Sequence, residues 1–179
     1  FWVPGDTAKT RLEYQIWEKE GYITVSEGRV IDQGDILAEL ELLKTQYMIS
    51  AVAYDPWNAA QFALAAAKAG FEMVEFRQGY KSMTEPTKEL MKDVMRGVLT
   101  HFGNPVLRWM ASNANSIEDD AENVKLVKPG KDSPKKIDGI IALVMARGMA
   151  MAAAMAEGDS VMNEDPEEFV KLMKEIYGT

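Results

Sequence analysis

Two aspartates stand where a short carboxylate can do metal chemistry. Asp55 closes the apolar run Ser50-Ala51-Val52-Ala53-Tyr54 and is followed by Pro56. A short apolar run ending at a polar turn suits a buried strand, and open α/β sheets bind ligands at the C-terminal edge of such strands. Asp138 heads a long apolar segment, among Ile137, Ile140, Ile141 and Val144. From a helix N-terminus a carboxylate can reach a bound cation, but the helix dipole and free N–H groups also stabilise an Asp there with no ligand at all. The residues alone leave two readings open for each: a helix cap, or a metal ligand. Were the two to converge at a sheet edge, they would bind divalent ions able to activate water and stabilise the leaving oxygen of a phosphodiester. Residues so far apart in sequence do not show convergence by spacing.

Composition narrows the chemistry. There is no cysteine and a single histidine, His101. Disulfides, thiolate zinc sites and cysteine nucleophiles are excluded, and a His-rich metal site or Ser-His-Asp triad is disfavoured. Metal chemistry must then rest on carboxylates, which favour hard ions such as magnesium or manganese. No Gly-rich phosphate loop with a following Lys-Ser or Lys-Thr occurs, so the chain holds no nucleotide-hydrolysing motor. The formal net charge is -8, the wrong sign for a protein that handles DNA. Charge is unevenly spread, however: Lys125, Lys128, Lys131, Lys135 and Lys136 precede Asp138, while Glu157, Asp159, Glu164, Asp165, Glu167 and Glu168 gather near the C-terminus. The local field decides what a phosphate backbone meets. The lysines read as a phosphate contact or as a solvated basic loop. Arg77, Lys81, Lys88 and Lys92 around Tyr80 read as a DNA track or an ordinary helix surface.

The elements that must position these residues follow from periodicity. A length of 179 residues with 47% hydrophobic and 27% charged content is that of one ordinary globular domain. No run of about 18 or more uncharged apolar residues occurs, and Asp138 and Arg147 interrupt the richest stretch, so no membrane span is expected. Phe1-Trp2-Val3-Pro4 reads as the tail of a strand, without a starting Met or a signal peptide, and the chain is expected to belong to something longer. A helix is expected over 7–20 with Leu12, Ile16 and Trp17 on its buried face, then a strand at Tyr22–Val25. Asp32 caps a helix to about Gln46 with Ile36, Leu37, Leu40 and Leu43 as its stripe. Pro56 opens an Ala-rich helix closed by Gly70, followed by a strand at Met73–Phe76, a strand–helix–strand unit with parallel strands. Further helices are expected over 86–96, 106–113, 137–157 and 166–177, with a loop or hairpin tip at 117–123 and a strand at Val124–Val127. Met145, Met149, Met151 and Met155 read as packing residues.

In order along the chain stand Tyr54-Asp55-Pro56-Trp57-Asn58-Ala59, Arg77-Gln78-Gly79, Pro86-Thr87-Lys88-Glu89-Leu90, His101 through Trp109 with Asn113 following, Lys131, and Lys136-Ile137-Asp138-Gly139-Ile140-Ile141-Ala142-Leu143. Each piece is weak, but the ordered set resembles the nuclease domain of terminase large subunits from tailed phages over about residues 1–150. The resemblance implies an α/β, ribonuclease-H-like fold: a mixed central sheet flanked by helices. It implies an endonuclease that cuts concatemeric double-stranded DNA during genome packaging with two divalent ions, magnesium or manganese. Asp55 and Asp138 match two of the family's metal-binding aspartates, and Lys131 falls near its lysine in the loop before the last Asp. The family's further Asp lies on a first strand that, with the second strand, precedes the segment matching Phe1-Trp2 and is not in this sequence, so the sheet is expected to lack its first strands. The implied partners are the portal protein and the terminase small subunit, at the procapsid in the bacterial host cytoplasm. Residues 1–157 are expected to form the nuclease domain and 158–179 an acidic linker and last helix. The alternative expectation is a catalytically incomplete piece acting as a structural or portal-docking module.

Overall fold

The apolar segment headed by Asp138 forms a helix that contributes to two apolar cores. The computed structural model describes residues 1–57, 59–130 and 132–159, with side chains given as far as residue 155. Three strand pairs occur among them. β1 (Trp2–Pro4) runs parallel to β2 (Thr24–Ser26), with the one-turn helix α1 (Gly5–Ala8) and α2 (Leu12–Lys19) between them. After α3 (Gln33–Gln46), β3 (Val52–Tyr54) runs parallel to β4 (Met73–Glu75), joined through α4 (Ala60–Lys68). Helices α5 (Tyr80–Met95) and α6 (Pro105–Asn113) lead to the antiparallel hairpin of β5 (Asn115–Glu118) and β6 (Val124–Val127), and α7 (Asp138–Asp159) follows. The strands are thus mixed in direction, as expected, but the described residues form three separate two-stranded sheets rather than one continuous central sheet.

Helix α7 lies between two apolar cores. Ile141, Val144, Met145 and Ala152 pack with Val74, Phe76, Met83 and Leu90. Ile140 packs with Ala8, Tyr14, Trp17, Ile23, Val106 and Met110. Consecutive residues near its N-terminus therefore anchor in different cores. At Gly148 the approach to α5 leaves no room for a side chain: an added Cβ would lie 2.8 Å from the buried Phe76 ring and 3.0 Å from Pro86. Arg147 then binds Asp93 of α5 at 2.6 Å and stands 3.8 Å from Glu89. By length and composition Asp138–Met155 could cross a membrane; its ion-paired Arg147 and its packing on α5 and α6 account for it as a core helix.

Several boundaries differ from expectation. The helix expected over 7–20 is broken, because Arg11 is extended (φ -138°, ψ 131°) and starts α2 afresh. The buried face of α2 is Tyr14 and Trp17, whereas Leu12 and Ile16 are exposed. Helix α5 begins at Tyr80, one and a half turns before Pro86. Pro86 is tolerated inside it because its ring is buried against α7, although a proline interior normally forfeits a backbone hydrogen bond. The Asp32 cap is as expected, its carboxylate accepting the Gly34 N–H at 2.7 Å. Yet no residue of α3 is fully buried, and its apolar stripe is only half covered. The segment after Asp159, including the helix expected over 166–177, lies outside the described residues.

Candidate functional site

Asp55 leaves β3 at its C-terminal end. Pro56 does not open the next helix; Pro56, Trp57 and Ala59 lie in bend and turn, and α4 starts at Ala60. The Asp55 carboxylate is therefore not that helix's cap. Its Oδ1 accepts the Trp57 N–H at 3.0 Å, an Asx turn that fixes the carboxylate at the strand edge. The second oxygen accepts no hydrogen bond from the described residues. Behind it, register places Tyr54 beside Glu75, and the Tyr54 hydroxyl donates to Glu75 Oε1 at 3.4 Å. Burial first, and the Glu75 charge second, push the Tyr54 phenol above its ordinary value.

Asp138 is the first residue of α7, and Ile137 fills the position before it. The Ile137 carbonyl accepts the N–H groups of Ile140 and Ile141, both at 3.0 Å. Among the described residues, the Asp138 side chain caps no backbone N–H and forms no ion pair, and it is exposed. Three contacts hold it in place. Gly139 presses on the Phe1 ring and Met110, where a Cβ would come within 2.6 Å of Phe1 Cε1, and its N–H points at Met110 Sδ, 3.0 Å away. Asn113, buried at the end of α6, donates through Nδ2 to the Lys136 carbonyl at 3.0 Å. Ile140 and Ile141 sit in the two cores. The Asp138 charge is also felt at Tyr14, whose phenol is raised mainly by burial, against Arg11 and with Asp138 adding to the rise.

The structure brings the two aspartates to one cavity. A space of about 460 Å³ is lined by both, together with Tyr54, Gln78, Leu126, Lys128, Lys135, Lys136 and the apolar residues Ala53, Ile137, Ile141, Ala142 and Met145. The three lysines are exposed and none forms an ion pair among the described residues. Among those residues no group of three acidic or histidine side chains is placed to hold a metal ion, so the cavity offers two carboxylates and no third. Lys131 lies outside the described residues. His101 is exposed and serves a turn, its Nδ1 accepting the Gly103 N–H at 3.2 Å beside Phe102, which takes a positive φ of 49°. The second basic group separates: Lys92 pairs with Glu89 and Arg77 with Glu75, while Tyr80 lies under Lys125, whose Nζ is 4.6 Å from the ring centre. Gln78 and the supporting Asn113 carry no chemical signal beyond their place in the ordered motifs, because their roles depend on contacts made across the fold.

Residues 5–157 match a family described as terminase large subunit, endonuclease domain. The chain is similar to the terminase large subunit of Enterobacteria phage HK97, 30% identical over 165 residues that take in 88% of this chain and 32% of that protein. It is also similar to Protein YmfN of Escherichia coli strain K12, 33% identical over 162 residues, covering 84% of this chain and 35% of that one. In three dimensions it matches the crystal structure of the HK97 bacteriophage large terminase with a TM-score of 0.74 and 30% identity, over 82% of this chain and 32% of that one. The architecture is accordingly α/β and ribonuclease-H-like. The chain spans about a third of the length of these relatives.

Proposed function

Because the chain belongs to the family of terminase large-subunit endonuclease domains, we propose that it is the part of such a subunit that cuts concatemeric double-stranded DNA during phage genome packaging. The observation that carries this reading is the shared cavity of Asp55 and Asp138, edged by lysines that form no ion pair among the described residues. Both are oxygen donors, neither is neutralised by a neighbouring cation among the described residues, and hard divalent ions such as magnesium or manganese suit them. Two such ions, when bound, supply an activated water and a stabilised leaving oxygen. Asp55 and Asp138 would provide two of their ligands, and the family resemblance puts a further Asp on a first strand. The chain's own part is positional. The Asx turn presents Asp55 from the end of β3, the paired cores present Asp138 from the start of α7, and Lys128, Lys135 and Lys136 draw the phosphate backbone toward the space between. Lys131, in the same loop, is proposed to act beside them. The partners proposed with the DNA are the portal protein and the terminase small subunit, at the procapsid in the host cytoplasm.

The test is cleavage of double-stranded DNA by the protein that carries this domain, with magnesium or manganese and with the ion chelated. Cutting is expected with either ion, with chelator reducing it to background. Asp55→Ala and Asp138→Ala are expected to remove it while circular dichroism shows an intact fold. Cutting retained in both variants would overturn the site. A folded wild-type protein that never cuts would instead favour a structural or portal-docking role.

A further inference from the structure

Trp57 is 82% exposed, although it immediately follows the turn that fixes Asp55. The other three tryptophans are covered: Trp17 is buried, and Trp2 and Trp109 are half-buried. A tryptophan ring open to solvent offers a flat apolar face on which a base can stack. The backbone nitrogen of Trp57 lies 3.0 Å from Asp55 Oδ1, so this residue adjoins Asp55, which lines the cavity. That cavity is also lined by Lys128, Lys135 and Lys136, which are exposed and unpaired among the described residues in a chain of net charge -8. A basic wall beside an exposed aromatic is the combination that holds a single nucleic-acid strand: cations follow the phosphates and the ring takes a base face. A base inside an intact duplex is already stacked on both faces and has none to offer.

We propose that the rim binds a DNA strand with an unstacked nucleotide, Trp57 stacking on the base while Lys128, Lys135 and Lys136 hold the backbone phosphates. The inference rests on DNA being the substrate, and it adds that the strand engaged at this cavity is locally opened. Trp57 is thereby a positioning residue, and the lysines are strand contacts.

The experiment titrates the chain, in chelator, with a single-stranded oligonucleotide and with the matching duplex while following tryptophan emission. The single strand is expected to quench emission and to bind more tightly than the duplex. Trp57→Phe should abolish the quenching and retain part of the affinity, and Trp57→Ala should weaken binding at least about fivefold. Replacing Lys128, Lys135 and Lys136 by Ala should flatten the dependence of log affinity on log salt by about 0.7 per lysine. Trp57→Ala binding as tightly as the parent, quenching that survives in Trp57→Phe, or tighter binding of the duplex would each overturn the proposal. No metal or cutting is involved. Loss of cleavage in the aspartate variants with unaltered binding in Trp57→Ala would sink the strand contact alone. Quenching without any cleavage would sink the nuclease reading alone.

Discussion

The two aspartates share a cavity but stand on very different supports. Asp138 begins a helix wedged between two cores, with Gly139 against Phe1 and Met110 and with Asn113 pinning the preceding carbonyl. Asp55 follows the three-residue strand β3, which among the described residues pairs on one edge, and the Trp57 N–H closes its turn beside that residue's exposed ring. The backbone that carries Asp138 is therefore built into the stability of the domain, and the turn that carries Asp55 lies at its margin. Changes to the packing of α7 should therefore cost stability, while replacement of either aspartate should cost function.

The comparison breaks most visibly at Gly148. Its missing side chain lets α7 rest on the buried Phe76 and Pro86, and neither can retreat easily. Gly148→Ala should lower unfolding free energy by about 1–3 kcal/mol, the usual cost of overpacking, whereas Asp55→Ala should change it by no more than about 1 kcal/mol. Chemical denaturation measures both, and equal losses would erase the distinction. A smaller effect is expected at Asn113. Asn113→Ala removes the donor to Lys136 O and should cost about 1 kcal/mol. Because that carbonyl belongs to the loop carrying Lys135 and Lys136, its removal should also weaken DNA binding in chelator, whereas a purely structural role would leave binding unchanged once the protein is folded.

Local chemistry explains which parts of this arrangement could be read from sequence. The Asp32 cap and the Gly70 stop at φ 80° depend on neighbours a few residues away and stand where the sequence puts them; the β3–α4–β4 unit forms with parallel strands as expected, although α4 starts at Ala60 rather than Pro56. The early start of α5 is not local: Pro86 argues for a helix beginning near it, and only packing against Gly148 and Phe76 makes an interior proline acceptable. The buried face of α2 keeps Trp17 but departs from the periodicity at Leu12 and Ile16 for a related reason. Tyr14 and Trp17 meet Trp109 across the fold at ring distances of 6.0 Å and 5.5 Å, an aromatic group that outcompetes Leu12 and Ile16 for burial. At the site, each aspartate was visible as a carboxylate at the end of an element. That they meet at one cavity depends on β3 and α7 coming together over a long sequence separation.

That meeting is the central claim, and manganese binding tests it most directly. Electron paramagnetic resonance of added Mn²⁺ gives the free ion concentration for the parent chain, Asp55→Asn, Asp138→Asn and the double variant. If both carboxylates serve the same ions, either single change should weaken binding and the double change should cost markedly less than the sum of the two. Strictly additive losses, or binding in both single variants equal to that of the parent, would contradict a shared metal site.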